Sequence, residues 1–145
     1  MKTINPQIFR EYDIRGLVGI DLTLDSTELI GKGIGTYIRR NGGKTITVGY
    51  DMRGSSIPFR DSLISGLNST GCDVIDIGLV PTPVAYFSLY HLKPDGGVMI
   101  TGSHNPPEFN GFKISLGQHS LYGKKIQELK ALIETKDFET GSGKI

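Results

Sequence analysis

Gly97-Val98-Met99-Ile100-Thr101-Gly102-Ser103-His104-Asn105-Pro106-Pro107-Glu108-Phe109-Asn110-Gly111-Phe112-Lys113-Ile114-Ser115-Leu116 holds two β-patterned runs joined by a stretch with no helical pattern. The first run, 97–101, follows the turn residues Pro94-Asp95-Gly96, and the second, 112–116, follows Asn110-Gly111. Only about ten residues, 102–111, lie between them. A parallel crossover takes a dozen or more, usually with a helix. The second run is therefore expected to lie antiparallel to the first. The intervening stretch becomes an irregular loop at the C-terminal end of a strand, where α/β sheets place their chemistry.

Working outward, two more short β-branched runs appear at 45–50, after Asn41-Gly42-Gly43, and at 73–77, between Gly71 and Gly78. Helical periodicity fills the gaps. Leu29, Ile30, Ile34, Tyr37 and Ile38 recur at helical spacing over 25–40, and Asp25 with Glu28 reads as a capping box. A second helix is expected over 56–70, with Ser56 as N-cap and Gly71 as stop. A third is expected from Thr82-Pro83 to Leu92, and a fourth over 123–136. Alternation of this kind predicts an α/β fold: a three-layer α/β/α domain with a mixed four-stranded sheet whose last strand is antiparallel.

The chain has 145 residues, 16 Lys and Arg against 15 Asp and Glu, and a net charge of +1. That is one domain's length, sufficient to bury a core without staples. The charge balance argues against nucleic acid as a partner, and no apolar run approaches the roughly 20 residues of a membrane span. Met1–Arg15 lacks the continuous apolar core of a leader. A single cysteine, Cys72, makes no internal disulfide, so a cytoplasmic setting is the default expectation. The tail from Thr140 to Ile145 has linker composition, so the domain is placed at 1–138 and the start of an interdomain linker at 139–145.

The loop 102–111 carries the chemistry. Gly102 removes bulk before Ser103, Pro106-Pro107 stiffen the backbone after Asn105, and Asn110-Gly111 turns the chain back so that Lys113 returns close by. A hydroxyl beside an imidazole and an ammonium suits the holding or transfer of a phosphoryl group, which is mostly positioning and electrostatic stabilisation. The plainer reading is an ordinary connection in which Ser103 makes turn hydrogen bonds.

Thr101-Gly102-Ser103-His104-Asn105-Pro106 with Asn110-Gly111-Phe112-Lys113 resembles the active-site serine loop of the α-D-phosphohexomutases, in particular their bacterial phosphomannomutase/phosphoglucomutase branch. Three further segments agree in order: Phe9–Gly16, Val48–Ser56 and Gly78–Pro83. The resemblance implies the first of four domains in an enzyme that moves phosphate between the 1- and 6-positions of a hexose. Ser103 would be the phosphoserine, regenerated through a hexose bisphosphate, which also serves as activator. Phosphorylation would give it about −1.5 to −2 charge. Mg²⁺ would offset part of this, with Ser103 as one ligand and the rest of its site in a later domain. His104, Lys113 and Arg15 would offset more. Lys113 is the better acid/base candidate, because an arginine does not readily release its proton. Tyr12 and Asn105 fall where the family lines its site. Arg53 is grouped with the substrate-binding residues, although steadying the loop or pairing with an acid would also account for it. Mannose and glucose 1- and 6-phosphates are the implied partners, with the remaining domains of the same enzyme. The chain alone is expected to be inactive.

Other signals are weaker. Gly31-Lys32-Gly33-Ile34-Gly35 hints at a dinucleotide fingerprint but lies inside a helical pattern without a preceding strand, so helix-packing glycines are the better reading. Ser103-His104 lacks the nucleophile-elbow pattern of hydrolases. His91 and His119 lack metal-ligand spacing, and Asp73 and Asp76 point to opposite faces of a strand. Cys72 reads as a small buried apolar residue, and Arg39-Arg40 and Lys124-Lys125 as solvated faces. A stand-alone phosphosugar- or anion-binding module and a purely structural domain are the alternatives to an enzyme.

Overall fold

The computed structural model describes residues 4–145; Met1–Thr3, the start of the segment read for a leader, lie outside them. After a single 3-10 turn at Pro6–Ile8, the elements run β1 (Ile14–Leu17), α1 (Leu24–Arg40), β2 (Thr45–Tyr50), α2 (Ser56–Ser69), β3 (Asp73–Leu79), α3 (Thr82–His91), β4 (Gly96–Ile100), β5 (Phe109–Leu116), β6 (His119–Ser120) and α4 (Lys124–Thr135). The sheet order is β1-β5-β4-β2-β3, with β6 pairing a corner of β5. β2 is parallel to both β3 and β4, and β5 is antiparallel to β4 and β1. The three-layer fold and the antiparallel last long strand agree with the sequence reading, but the sheet has six strands, not four. β1 supplies much of that difference. Its four residues pair along the free side of β5, which in consequence starts at Phe109.

The sheet's two faces are unequal. Ile46, Val48, Val74, Val98, Ile100, Phe112 and Ile114 point to one face and form a core with Ile30, Ile34, Leu63, Leu67, Ile126 and Ile133 from α1, α2 and α4. α1 and α2 approach closely enough that a Cβ on Gly31 would strike the Leu63 carbonyl, and one on Gly66 the Glu28 carbonyl. The glycines that resemble a nucleotide fingerprint are thus helix-packing residues: Gly33 makes room for Ile133 and Gly35 for Thr70. On the other face α3 alone turns Ala85 and Leu89 down onto Thr47, Gly97 and Met99.

Several local details differ from expectation. α1 is capped by Thr23 and Ser26, whose hydroxyls reciprocally accept each other's backbone N–H, not by Asp25 and Glu28. α2 has Ser55 as N-cap, and Ser56 is its first residue. Cys72 is buried as expected, and burial pushes its thiol above the usual value. Residues 139–145, expected to begin a linker, lie along the end of α2 and the outer edge of β3: Gly141 and Gly143 donate to Ser69 and Asn68, and Lys144 accepts from Val74. No helix among the described residues is long and apolar enough to cross a membrane.

Candidate functional site

β4 ends at Ile100, and β5 begins at Phe109. The loop between them stands at the C-terminal edge of the parallel strands. Its path is set by internal hydrogen bonds. Asn105 donates to the Gly102 carbonyl from both its backbone N–H (3.0 Å) and its side-chain amide (2.9 Å). The Ser103 N–H donates to Thr101 Oγ1 at 2.9 Å. Ser103 is held with φ at 55°, in the left-handed region, which costs a non-glycine residue roughly 1–2 kcal/mol. The surrounding contacts therefore have to hold it there, and they do so with its side chain exposed.

Those contacts converge on Arg53, in the turn between β2 and α2. Its Nε donates to Asp51 Oδ2 (3.2 Å), Nη1 to the carbonyls of Pro106 (2.6 Å) and Phe109 (3.1 Å), and Nη2 to those of Ser103 (3.0 Å) and Asn105 (2.7 Å). A guanidinium has five N–H donors, so all are taken by the chain itself. Arg53 thus pairs with an acid and steadies the loop, and no donor is left over to meet a substrate. Gly102 lies flat against this guanidinium; a Cβ there would overlap it. Asp51 accepts from Ser56 Oγ (2.7 Å) and from the N–H groups of Arg53 (3.2 Å) and Gly102 (3.3 Å), and the Thr101 hydroxyl also reaches it. Burial alone would raise the Asp51 carboxyl; these hydrogen bonds outweigh it and hold the group below its ordinary value.

Ser103 and His104 open into a cleft of about 660 Å³, lined also by Asp51, Thr101, Met99, Lys113, Tyr86 and the Pro81-Thr82-Pro83 entrance to α3. That size suits a small-molecule ligand. Lys113 reaches it because it pairs with Met99 on the open face of the sheet. Arg15 pairs with Gly111, two residues before Lys113, so its side chain leaves from that same face, 3.8 Å from Asp13. Tyr12, 73% exposed, lines an adjoining hollow of about 170 Å³ with Tyr86, Tyr122 and Lys113. Ser103, His104 and Lys113 are brought together, with Tyr12 one hollow away and Arg15 on the shared face. Asn105 spends its side-chain N–H on the loop. The sequence reading gave Asp51 and Thr101 no role beyond the motifs that contain them, and gave Tyr86 and Met99 none at the site. The spacing Asp51-x-Arg53 at a strand end was the available signal for the first.

Among the described residues no group of three or more His, Cys, Asp or Glu could hold a metal ion. Asp51 already meets Arg53, Ser56 and two backbone N–H groups, and the exposed Ser103 hydroxyl would bring a single oxygen where Mg²⁺ takes about six. These residues do not by themselves fit a magnesium site.

Residues 6–140 match the family described as phosphoglucomutase/phosphomannomutase, alpha/beta/alpha domain I. A phosphomannomutase/phosphoglucomutase of Pseudomonas aeruginosa is 44% identical over 143 residues, covering 99% of this chain and 31% of that protein. A phosphoglucomutase of Neisseria meningitidis serogroup B is 43% identical over 144 residues, again 99% and 31%. The crystal structure of a phosphoglucomutase/phosphomannomutase family protein from Burkholderia thailandensis superposes with a TM-score of 0.93 at 41% identity, over 98% of this chain and 33% of that one. The chain therefore spans about a third of the length of the relatives it matches, and it belongs to the phosphoglucomutase/phosphomannomutase domain I family.

Proposed function

We propose that this chain is the N-terminal, serine-bearing domain of a hexose-phosphate mutase acting on mannose and glucose 1- and 6-phosphates. The observation that carries the reading is Ser103: an exposed hydroxyl at a strand end, held at positive φ by a saturated clamp and sharing a cleft with Lys113 and His104. In the forward half-reaction the phosphoryl group on Ser103 passes to a sugar hydroxyl. The P–O bond to Ser103 breaks and a P–O bond to the sugar forms, while the sugar hydroxyl gives its proton to a base, for which Lys113 is the candidate, and the Ser103 oxygen takes up a proton in exchange. The bisphosphorylated sugar then returns its other phosphoryl group to Ser103 and leaves as the isomeric monophosphate. Arg15 adds positive charge around the transferring group, His104 adds its imidazole beside Ser103, and Tyr12 and Asn105 border it. Asp51 and Arg53 offset one another, so the counter-charge for a phosphoserine comes from these other groups and from the remaining domains, which would also complete a magnesium site. A cytoplasmic setting accords with a phosphorylated sugar substrate.

The test is Ser103→Ala in the full-length protein. Mutase activity is expected to fall at least about a thousandfold, and mass spectrometry of the wild type to find one phosphoryl group on Ser103 that hexose phosphate removes. Activity within about tenfold of wild type, too small a loss for a deleted nucleophile, rejects the reading. The 145-residue chain alone is expected to show no turnover, since most of the positioning lies elsewhere; ordinary enzyme rates from it would contradict this.

A further inference from the structure

We infer that Arg53 is the positioning residue of the serine loop, and that Gly102 is glycine in order to admit it. The inference rests on the mutase reading for its kinetic consequence, but its geometry stands independently. Four of the five Arg53 donors go to backbone carbonyls of one short segment: Ser103, Asn105, Pro106 and Phe109. The fifth goes to Asp51, which in turn accepts from the Gly102 N–H. A planar fork of five donors satisfies this set; a lysine, with three donors radiating from one atom, does not. The Arg53 side chain is only 14% exposed. Carbonyls at the outside of a tight loop ordinarily turn to water. Here they are gathered inward onto one cation, and that leaves the Ser103 hydroxyl outward.

Gly102 supports the same conclusion from the other side. It is not among the glycines with positive φ, so its own backbone would accept alanine. What excludes a methyl group is the Arg53 guanidinium, which a Cβ would overlap. A glycine tolerant in conformation but intolerant in space marks the surface on which the guanidinium lies.

The experiment is a double-mutant cycle in the full-length protein with Arg53→Ala and Gly102→Ala, read by kinetics and by amide hydrogen exchange over 101–109. Arg53→Ala is expected to lower kcat about a hundredfold or more, the effect of a misplaced reacting group, with KM within about threefold. Millimolar guanidinium is expected to restore part of the rate to Arg53→Ala and none to Ser103→Ala. Gly102→Ala is expected to cost a similar factor in the wild type and little in the Arg53→Ala background, because the obstacle is then gone. Loop exchange is expected to accelerate in both single variants. If Arg53→Ala does not fold, Arg53→Lys replaces it, with a loss of about tenfold or more expected from the missing donors. Full activity in Arg53→Lys, a KM effect with kcat intact, or additive costs in the cycle overturns the inference. Near-wild-type activity in Ser103→Ala together with accelerated exchange in Arg53→Ala would instead sink the mutase reading and leave the clamp standing.

Discussion

The two faces of the sheet contrast sharply. Beneath α1, α2 and α4 lies one continuous buried core, with helix backbones in contact at Gly31 and Gly66. Over the other face α3 stands alone, and its Val84, Tyr86, Phe87 and Tyr90 are exposed, as is Ile75 of β3. Nearly all the titratable groups of the candidate site also lie on or beside this open face. Close packing on one side holds the strand ends rigid, and the lack of it on the other leaves room for a ligand and for contact with further chain.

Substitutions of one kind should therefore have different costs on the two faces. The largest expected effect is Phe112→Ala, which empties a fully buried ring site facing Phe59 (ring centroids 6.1 Å apart); about 3–5 kcal/mol of stability should be lost in denaturant titration. Gly31→Ala comes next. A single methyl against the Leu63 carbonyl should cost about 1–3 kcal/mol, because the two helices must separate. On the open face Tyr90→Ala, at a side chain 57% exposed, should change stability by less than about 0.5 kcal/mol and reduce self-association of the isolated chain. A stability loss for Tyr90→Ala as large as that for Gly31→Ala would erase the distinction.

Acid supplies a finer test, confined to the loop. The folded state holds the Asp51 carboxyl below its unfolded value, so the stability it contributes is complete above roughly pH 4 and is lost as pH falls through the lower folded value. Amide exchange at 102–109, corrected for its intrinsic pH dependence, should lose protection below about pH 4, while the α1 and α2 amides keep theirs. Asp51→Asn should show the loosened loop already at neutral pH. Simultaneous loss in loop and core would mean that the loop is no separate unit.

Legibility in the sequence followed the range of the interaction concerned. Helices with an apolar stripe and strands bounded by turn residues were found, because their signals are local. β1 escaped notice because Ile14-Arg15-Gly16-Leu17 is short and contains both a charge and a glycine; it is a strand only because β5 offers it an edge about a hundred residues later. The capping pair at α1 was misplaced by two residues because hydroxyls and carboxylates compete for the same N–H groups, and the entry angle of the chain decides between them. Ser103, His104 and Lys113 were legible as a cluster, since one hairpin carries all three. The two readings of Arg53, loop support and an acid partner, both describe the structure. What the sequence could not display is that Asp51 joins them: its partners Thr101 and Gly102 meet it only across the sheet.

The pairing of β1 with β5 has a consequence for biosynthesis. Among the described residues the strand pairing of β1 is with β5, made about a hundred residues after it, so this segment emerges from the ribosome with no strand to dock on until β5 follows it. Arg15 on the shared face and Tyr12 in the adjoining hollow then take their places after the rest of the hairpin is formed. In a nascent chain stalled before residue 109, that segment should remain open to protease.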